Sequence, residues 1–526
     1  MVTCMAGKAG FGLKLRRNSD RAMIDLTLGR FIDRLEKAKQ LVRIKTPVST
    51  ALEMTEIQTR LLAEGGPAAL FENPIGPDGQ TYDTPVLINL FGTVDRVAMA
   101  MGRKADELRQ VGEMLATLHQ PSPPASLKEV ADAMPLLKRV GAMTPKRTRR
   151  KTPPCQEITW RGDEIDLAKL PIPCCWPGEP APLIIWPMVI TKGPSNSAED
   201  QYNIGIYRMQ VIDRNKVLMR WLPHRGGAQH YRRWVEAHGK PMPVAAAIGA
   251  DPCTMLSAVT PLPDTLSEYQ FAGLLRGRRI GMANCLTVPL QVPAESEIVL
   301  EGHVSHEEFG DEGPYGDHTG HLNAVAPFPV FTLSAVTMRT KPTYLSTYTG
   351  PPPDEPAIMS MALNELYIPI LQLQFPEIVD FWLPPEACSY RIAVVSIRKA
   401  YPGHARRIMM AVWSYLRQFT YTKLVIVVDD DIDARNWKEV MWAVATRMDP
   451  GRDSLAIEDT PIDYLDFASP EVGLGGKLGL DATVKIPPET KRTWGKRLRM
   501  SDEVIADVSE KWTDYGLPGT GRPIWR

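Results

Sequence analysis

The chain has no Cys-x-x-Cys pair, no excess of charge of either sign and no uninterrupted apolar run of about 18 residues. Its seven cysteines (Cys4, Cys155, Cys174, Cys175, Cys253, Cys285 and Cys388) are odd in number and scattered, so neither a disulfide framework nor a cysteine zinc site is supported. The vicinal Cys174–Cys175 pair reads as two ordinary reduced thiols of a cytosolic protein. Lys+Arg and Asp+Glu both number 61, which leaves none of the basic excess that bulk nucleic-acid binding requires. Without a long apolar run there is no membrane-spanning helix to expect, and the basic first 22 residues lack the apolar core of a signal peptide. Gly473, Gly475, Gly476 and Gly479 do not complete a dinucleotide fingerprint.

What is present is length and proline. At 526 residues the chain exceeds one core, and 47 prolines argue for many turns and extended connections. Composition shifts divide it into a disordered arm (1–22), an N-terminal α/β domain (23–120), a proline-rich linker (121–155), a β-rich domain (156–340), a C-terminal α/β domain (341–485) and a tail (486–526). The arm also reads as an extension upstream of a start near Met23. In the β-rich part the expected strands are 183–191, 202–212, 217–222, 244–248, 281–292, 298–302 and 330–337, with a helix at 264–275 capped by Asp264. The C-terminal part alternates strand 393–397, helix 403–418, strand 424–428 and helix 435–447, a parallel-sheet pattern. Asp429-Asp430-Asp431 reads as a capping and loop element, and a terminal helix from Ser501 as a subunit-docking element.

The chemistry-bearing residues cluster in the β-rich region. Strand alternation puts Asn203, Gly205 and Tyr207 on one face and Ile206 and Arg208 on the other. Asn203 offers an amide oxygen to a hard cation, and Arg208 can clamp a carboxylate. Arg220, His224, Arg225, Gly226 and Gly227 form a basic, glycine-bearing turn, readable as a phosphate seat or as a plain hairpin turn. Glu312 and Asp317 lie in a loop with three glycines and a proline, where close carboxylates can split their pKa values for acid chemistry. Glu268 can complete a mixed N/O metal site with Asn203 and His224, of a kind that suits Mn²⁺ or Mg²⁺.

Taken together, Asn203–Arg208, Met219–Gly227, Asp264–Tyr269, Glu312–Gly320, Ser346–Pro356 and Pro461–Pro470 resemble the UbiD family of prenylated-flavin-dependent decarboxylases, from about residue 25 to 500. The resemblance implies an α+β multidomain fold: an N-terminal α/β domain, a central split β-barrel holding the flavin and a C-terminal α/β domain with a terminal helix. It implies prenylated FMN bound through Mn²⁺ (or Mg²⁺), with Asn203, His224 and Glu268 as metal ligands. Flavin contacts fall on Ile206, Tyr207, Arg208, Arg220, Trp221, Leu222, Arg225 and Gly226. Arg208, Glu312 and Asp317 match the catalytic set: Arg208 orients a carboxylate, Glu312 holds Arg208 and relays a proton, and protonated Asp317 delivers H⁺. The implied substrate is a 4-hydroxy-3-polyprenylbenzoate of ubiquinone biosynthesis, and the implied partners are a flavin prenyltransferase and identical subunits, as a hexamer. Such a substrate implies a cytoplasmic protein peripheral at the membrane, with Ile368–Leu373 and Phe381–Leu383 read as core or subunit interface rather than as membrane contacts. A decarboxylase of a smaller phenolic or acrylic acid, and a non-catalytic flavin-binding protein, stay open as alternatives.

Overall fold

The computed structural model describes residues 24, 26–119, 134, 136–197, 200–223, 225–260, 262, 266–415, 417–519 and 521. The arm at 1–22, part of the expected linker, the capping candidate Asp264 and the ligand candidate His224 lie outside the described residues. The chain divides into two compact units, residues 1–362 and 363–526.

The first unit begins with a helix, Leu28–Lys37, whose Leu28, Phe31, Ile32 and Leu35 recur at helical spacing and are all buried. Thr27 caps it by accepting a bond from the Arg30 N–H at 3.1 Å. A four-stranded sheet follows in the order Leu41–Ile44, Ala68–Phe71, Val86–Ile88 and Tyr344–Leu345, so its last strand comes from far along the chain.

The central sheet of this unit runs Asn203–Ile206, Met188–Thr191, Met242–Ile248, Ile298–Glu312, Ala326–Met338, Lys216–Met219, Met209–Asp213 and Leu183–Ile184, with Ile158–Arg161 beside Ala326–Met338. Its geometry follows from connectivity. Asn203–Ile206 and Met209–Asp213 are separated by two residues, yet five strands stand between them in the hydrogen-bonded order. Laid flat, those six strand spacings would cover about 29 Å. Two connecting residues reach only about 10 Å. The sheet therefore curls until its ends approach, giving a split barrel whose seam is crossed at Tyr207–Arg208.

The continuous strand expected over 202–212 is thus broken where it crosses the seam. Two further expectations change. Gly281–Asn284 and Gln291–Pro293 leave the barrel and pair with each other and with Lys146–Arg147. The strand expected at 298–302 continues to Glu312, because it forms a long hairpin with Ala326–Met338 that reaches the acid loop. The helix expected at 264–275 spans Glu268–Arg276, with Ser267 as its cap.

In the second unit, Ile392–Ile397, Leu424–Asp429 and Leu474–Asp481 are parallel neighbours, flanked by antiparallel Ile378–Trp382 and Ser454–Pro461. Ile368, Leu371, Phe381 and Leu383 are buried in its core. Asp429 and Asp431 do not act as caps: both accept from Arg447, at 2.8 and 2.7 Å, and Asp431 also takes Arg497. Asn436 caps the Trp437–Arg447 helix instead. Ser501 caps the terminal helix Asp502–Glu510, which buries no residue within the chain.

Glu355, at the head of the Glu355–Gln374 helix, ties the first unit together. Its Oε1 accepts from the Phe91 N–H and its Oε2 from Gln58 and Thr347, each at 2.6 Å. Burial pushes its carboxyl from 4.5 up to about 7. A folded value above the unfolded one contributes stability that is full at low pH and lost as pH rises through 7. Glu355→Ala takes the acceptor from the Phe91 N–H and leaves Gln58 and Thr347 only their longer bonds, and is expected to cost about 2–4 kcal/mol. Thermal melts should show a larger deficit near pH 5 than near pH 8.

Candidate active site

Two groups of side chains meet at the barrel seam. The first gathers around Asn203. As strand alternation requires, Asn203 and Tyr207 share a face, and the amide lies beside the Tyr207 hydroxyl. That hydroxyl also accepts from the Gly227 N–H at 3.3 Å. Gly227 lies in the first turn of a helix, Gly226–His238, that the sequence reading takes only as a turn. Backbone N–H groups at such a helix start form a seat for an anion. The glycines are needed for close approach: a Cβ on Gly226 would overlap Asn203 Oδ1, and one on Gly227 would crowd the Trp221 indole nitrogen.

Glu268 completes this corner. It heads the Glu268–Arg276 helix, and its Oε2 accepts from the Ile204 N–H at 3.2 Å. Burial raises its carboxyl to about 7, against the pull of the Glu268 and Ile204 N–H groups. Asn203 Nδ2 and Trp221 Nε1 are buried donors without a hydrogen-bond partner among the described residues. Unsatisfied donors, a helix start and a desolvated carboxylate beside an amide oxygen are together a donor set for an anion held through a hard cation. Among the described residues no three His, Cys, Asp or Glu side chains converge as a metal cluster.

The second group is built on Arg208. Its Nε and Nη2 reach the two oxygens of Glu312 at 2.8 and 3.3 Å. Nη1 donates to Asp317 Oδ2 at 3.1 Å and to the Gly316 carbonyl at 3.4 Å, and Nη2 to Asn323 Oδ1 at 2.7 Å. Arg220 Nη1 also donates to Glu312 Oε2, at 2.6 Å, and so joins the acid cluster. Glu312 is wholly buried between the two guanidinium groups. His318 Nδ1 lies 2.7 Å from Asp317 Oδ1, which also accepts the His318 N–H at 2.9 Å.

These contacts set the electrostatics of Asp317. Burial pushes the Asp317 carboxyl up, but the His318 hydrogen bond and the charges of His318, Arg208 and Arg220 outweigh it, holding the group well below the carboxylate range. These partners favour the ionised form of Asp317 while it sits on Arg208.

The structure brings Arg208, Glu312 and Asp317 together, and Asn203 with Tyr207, Gly226 and Glu268. Ile206 and Leu222 are half-buried, Arg225 is exposed at the start of the helix, and His224 is outside the described residues. Four contributors were not singled out from sequence. Asn323 Oδ1 bonds both Arg208 and the Tyr315 N–H, Gln210 accepts from Gly313, Glu179 accepts from Gly316 and Cys175, and His318 holds Asp317. Of these only His318 lay inside a noted motif.

Three family models match the chain. They are the 3-octaprenyl-4-hydroxybenzoate carboxy-lyase N-terminal domain over residues 32–115, the Rift-related domain over 146–352 and the C-terminal domain over 357–482. The chain belongs to the UbiD family. Solved UbiD-class structures agree along nearly its whole length. The FMN complex of the enzyme HmfF from Pelotomaculum thermopropionicum is 27% identical, with 93% of this chain and 100% of that chain covered and a TM-score of 0.76. The closed form of the vanillic acid decarboxylase of Sedimentibacter hydroxybenzoicus is 27% identical over 94% and 98%, with a TM-score of 0.77. The 3,4-dihydroxybenzoic acid decarboxylase AroY of Klebsiella pneumoniae, at 21% identity over 92% and 99% and a TM-score of 0.73, shares the fold. Membership in UbiD makes this chain an enzyme of the carboxy-lyase class.

Glu312 is the common acceptor of two buried arginines in this UbiD protein. Glu312→Gln removes its charge and is expected to lower stability by about 3–5 kcal/mol, read as a drop in the thermal transition. Asp311→Asn, on the exposed side of the same strand, should leave the transition within about 0.5 kcal/mol.

Proposed function

We propose that the protein decarboxylates a 4-hydroxy-3-polyprenylbenzoate to the 2-polyprenylphenol of ubiquinone biosynthesis, with prenylated FMN and a divalent cation, Mn²⁺ or Mg²⁺. The observation that carries this reading is the convergence of Arg208, Glu312 and Asp317 beside a corner whose donors suit a phosphate and a cation. The description shared by all three matching family models supports the substrate. Asn203 and Glu268, with His224 by resemblance, would hold the cation. Tyr207, Trp221, Arg225 and the Gly226–Gly227 N–H groups would hold the flavin phosphate.

Loss of CO₂ from an aryl carboxylate leaves an unstabilised carbanion, and prenylated FMN supplies the electron sink when bound. The remaining work falls to the chain. Arg208 orients the carboxylate, and Glu312, clamped by Arg220, fixes the guanidinium plane. Asp317 returns a proton to the ring carbon that has lost CO₂. The His318 and Arg208 contacts favour the ionised form of Asp317 at rest, so its proton is taken up as substrate binds.

A smaller phenolic acid is the second reading, favoured by the similarity to the vanillic acid decarboxylase. Assembly and location belong to the same proposal: a homohexamer loaded by a flavin prenyltransferase and peripheral at the cytoplasmic face of the membrane. No helix among the described residues is long and apolar enough to cross a membrane. The terminal helix, with Val504 and Val508 exposed, supports docking on another subunit. Lys491, Arg492, Lys496 and Arg499 beside Leu498, 97% exposed, and Met500 support contact with an anionic lipid surface.

Protein co-produced with a flavin prenyltransferase should release a small molecule with the absorbance and mass of prenylated FMN. The loaded protein should form CO₂ faster from 3-dimethylallyl-4-hydroxybenzoate than from vanillate; the reverse order selects the second reading. Asp317→Asn should keep its cofactor and lose turnover by about a thousandfold or more. Gly226→Ala, whose new methyl displaces Asn203 Oδ1, should stay folded but fail to retain cofactor, as read from the flavin absorbance of the purified protein.

A further inference from the structure

An arginine side chain has five N–H donors. Those of Arg208 are all engaged: Nε with Glu312, Nη1 with Asp317 and the Gly316 carbonyl, and Nη2 with Glu312 and Asn323. A substrate carboxylate that is to be clamped by Arg208 must therefore displace one of these acceptors. The partners differ in how readily they can leave. Glu312 is fully buried and pinned from the far side by Arg220 at 2.6 Å. Asn323 is also buried, and its Oδ1 is shared with the Tyr315 N–H at 2.8 Å. The Gly316 carbonyl is fixed in the backbone and already takes the Thr349 hydroxyl at 2.9 Å.

Asp317 is different. Only its Oδ2 touches Arg208, while Oδ1 is held separately by the His318 ring at 2.7 Å and by the His318 N–H at 2.9 Å. Its carboxylate can give up the arginine and keep two partners. The His318 side chain is 22% exposed at its carbon edge, while its Nδ1 lies on Asp317 and its Nε2 is buried.

We infer that Asp317 acts as a built-in stand-in for the substrate carboxylate on Arg208, and that His318 is the positioning residue that receives it when substrate takes its place. The inference rests on the reading that Arg208 binds a substrate carboxylate. Its consequence is a coupling of binding to proton supply. Once off Arg208, Asp317 loses one of the charges that keep it ionised and faces the incoming anion instead. Glu312 and, more remotely, Asp354 add negative charge from the neighbouring elements, while Arg220 is committed to Glu312. The proton on His318 Nδ1 passes to Asp317 Oδ1, leaving a neutral ring. Asp317 then gives that proton to the ring carbon, and the Asp317–His318 pair regains one from solvent when product leaves. The sum is one carboxylate and one proton converted to CO₂ and the protonated ring. Asp317 is thus charged while it guards the arginine and neutral when it serves as acid.

The test is the affinity of the holoenzyme for benzoate, by calorimetry, beside the pH profile of turnover. If Asp317 competes for Arg208, Asp317→Ala should tighten benzoate binding by about tenfold, the worth of one charge-assisted bond. Asp317→Asn, a weaker acceptor of nearly the same size, should tighten it less. His318→Gln should have the opposite effect, about tenfold weaker binding, because the displaced carboxylate loses its second partner. It should also remove an ionisation from the pH profile of kcat, which a merely structural histidine would leave in place. Benzoate affinity unchanged or weakened in both Asp317 variants would overturn the inference, as would a His318→Gln enzyme with wild-type affinity and pH profile. Failure of the functional reading looks different: the wild-type holoenzyme would release no CO₂ from any aryl carboxylate, whatever its benzoate affinities.

Discussion

Two residues join the first and seventh strands of an eight-strand hydrogen-bonded path, and the site is a consequence of that connection. Tyr207 and Arg208 have to cross the seam, and because successive side chains of an extended chain point in opposite directions, they cross it facing opposite ways. Tyr207 turns to Asn203 and the Gly226–His238 helix, and Arg208 turns to the end of the long hairpin, where Glu312 and the loop beyond it wait. One covalent crossing thereby delivers the two halves of the site to adjacent positions. Any barrel that curled less would separate the Asn203 corner from the acid cluster.

The acid cluster is balanced within itself. Two arginines face Glu312 and Asp317 in a volume almost closed to water, and every Arg208 donor has an acceptor. Such a network tolerates burial because no charge is left uncompensated, and for the same reason it loses heavily when one member is removed. Its supports lie outside the charged set. Gly313, with a left-handed φ of 96°, is held by Gln210, and Gly316 is held by Glu179. These bonds fix the loop so that Asp317 reaches Arg208 with one oxygen and His318 with the other.

The legibility of the site in sequence follows the same division. Arg208, Glu312 and Asp317 stand in short polar motifs bounded by glycine and proline, and Asn203 with Tyr207 follows from period-two alternation, so local pattern was enough. Asn323, Gln210 and Glu179 act through loop backbone that only the closed barrel brings near them, and no spacing rule announces that. The strand break at Tyr207 was hidden because 202–212 is apolar enough to read as one strand; what interrupts it is closure, a property of the whole sheet. The helix at Gly226–His238 was lost to its own start, where two glycines suit an anion seat and resemble a turn. In the second unit, Asp429 and Asp431 carried the signature of caps, but Arg447, sixteen residues beyond Asp431, claimed both.

The two halves of the site also differ in what they ask of a ligand. Burial leaves the Glu268 carboxyl raised to about 7, with Asn203 Nδ2 and Trp221 Nε1 unbonded among the described residues, so this corner carries an unrelieved desolvation cost. Asp317, no less enclosed, is pulled in the other direction by partners already in place. A ligand at the Asn203 corner satisfies groups that have no other partner, and its binding free energy adds directly to the stability of the folded barrel. A ligand at Arg208 must break bonds before it makes them. Tight retention therefore belongs to the Asn203 side of the seam and exchange to the Arg208 side, which is the division of labour between a resident cofactor and a substrate that turns over.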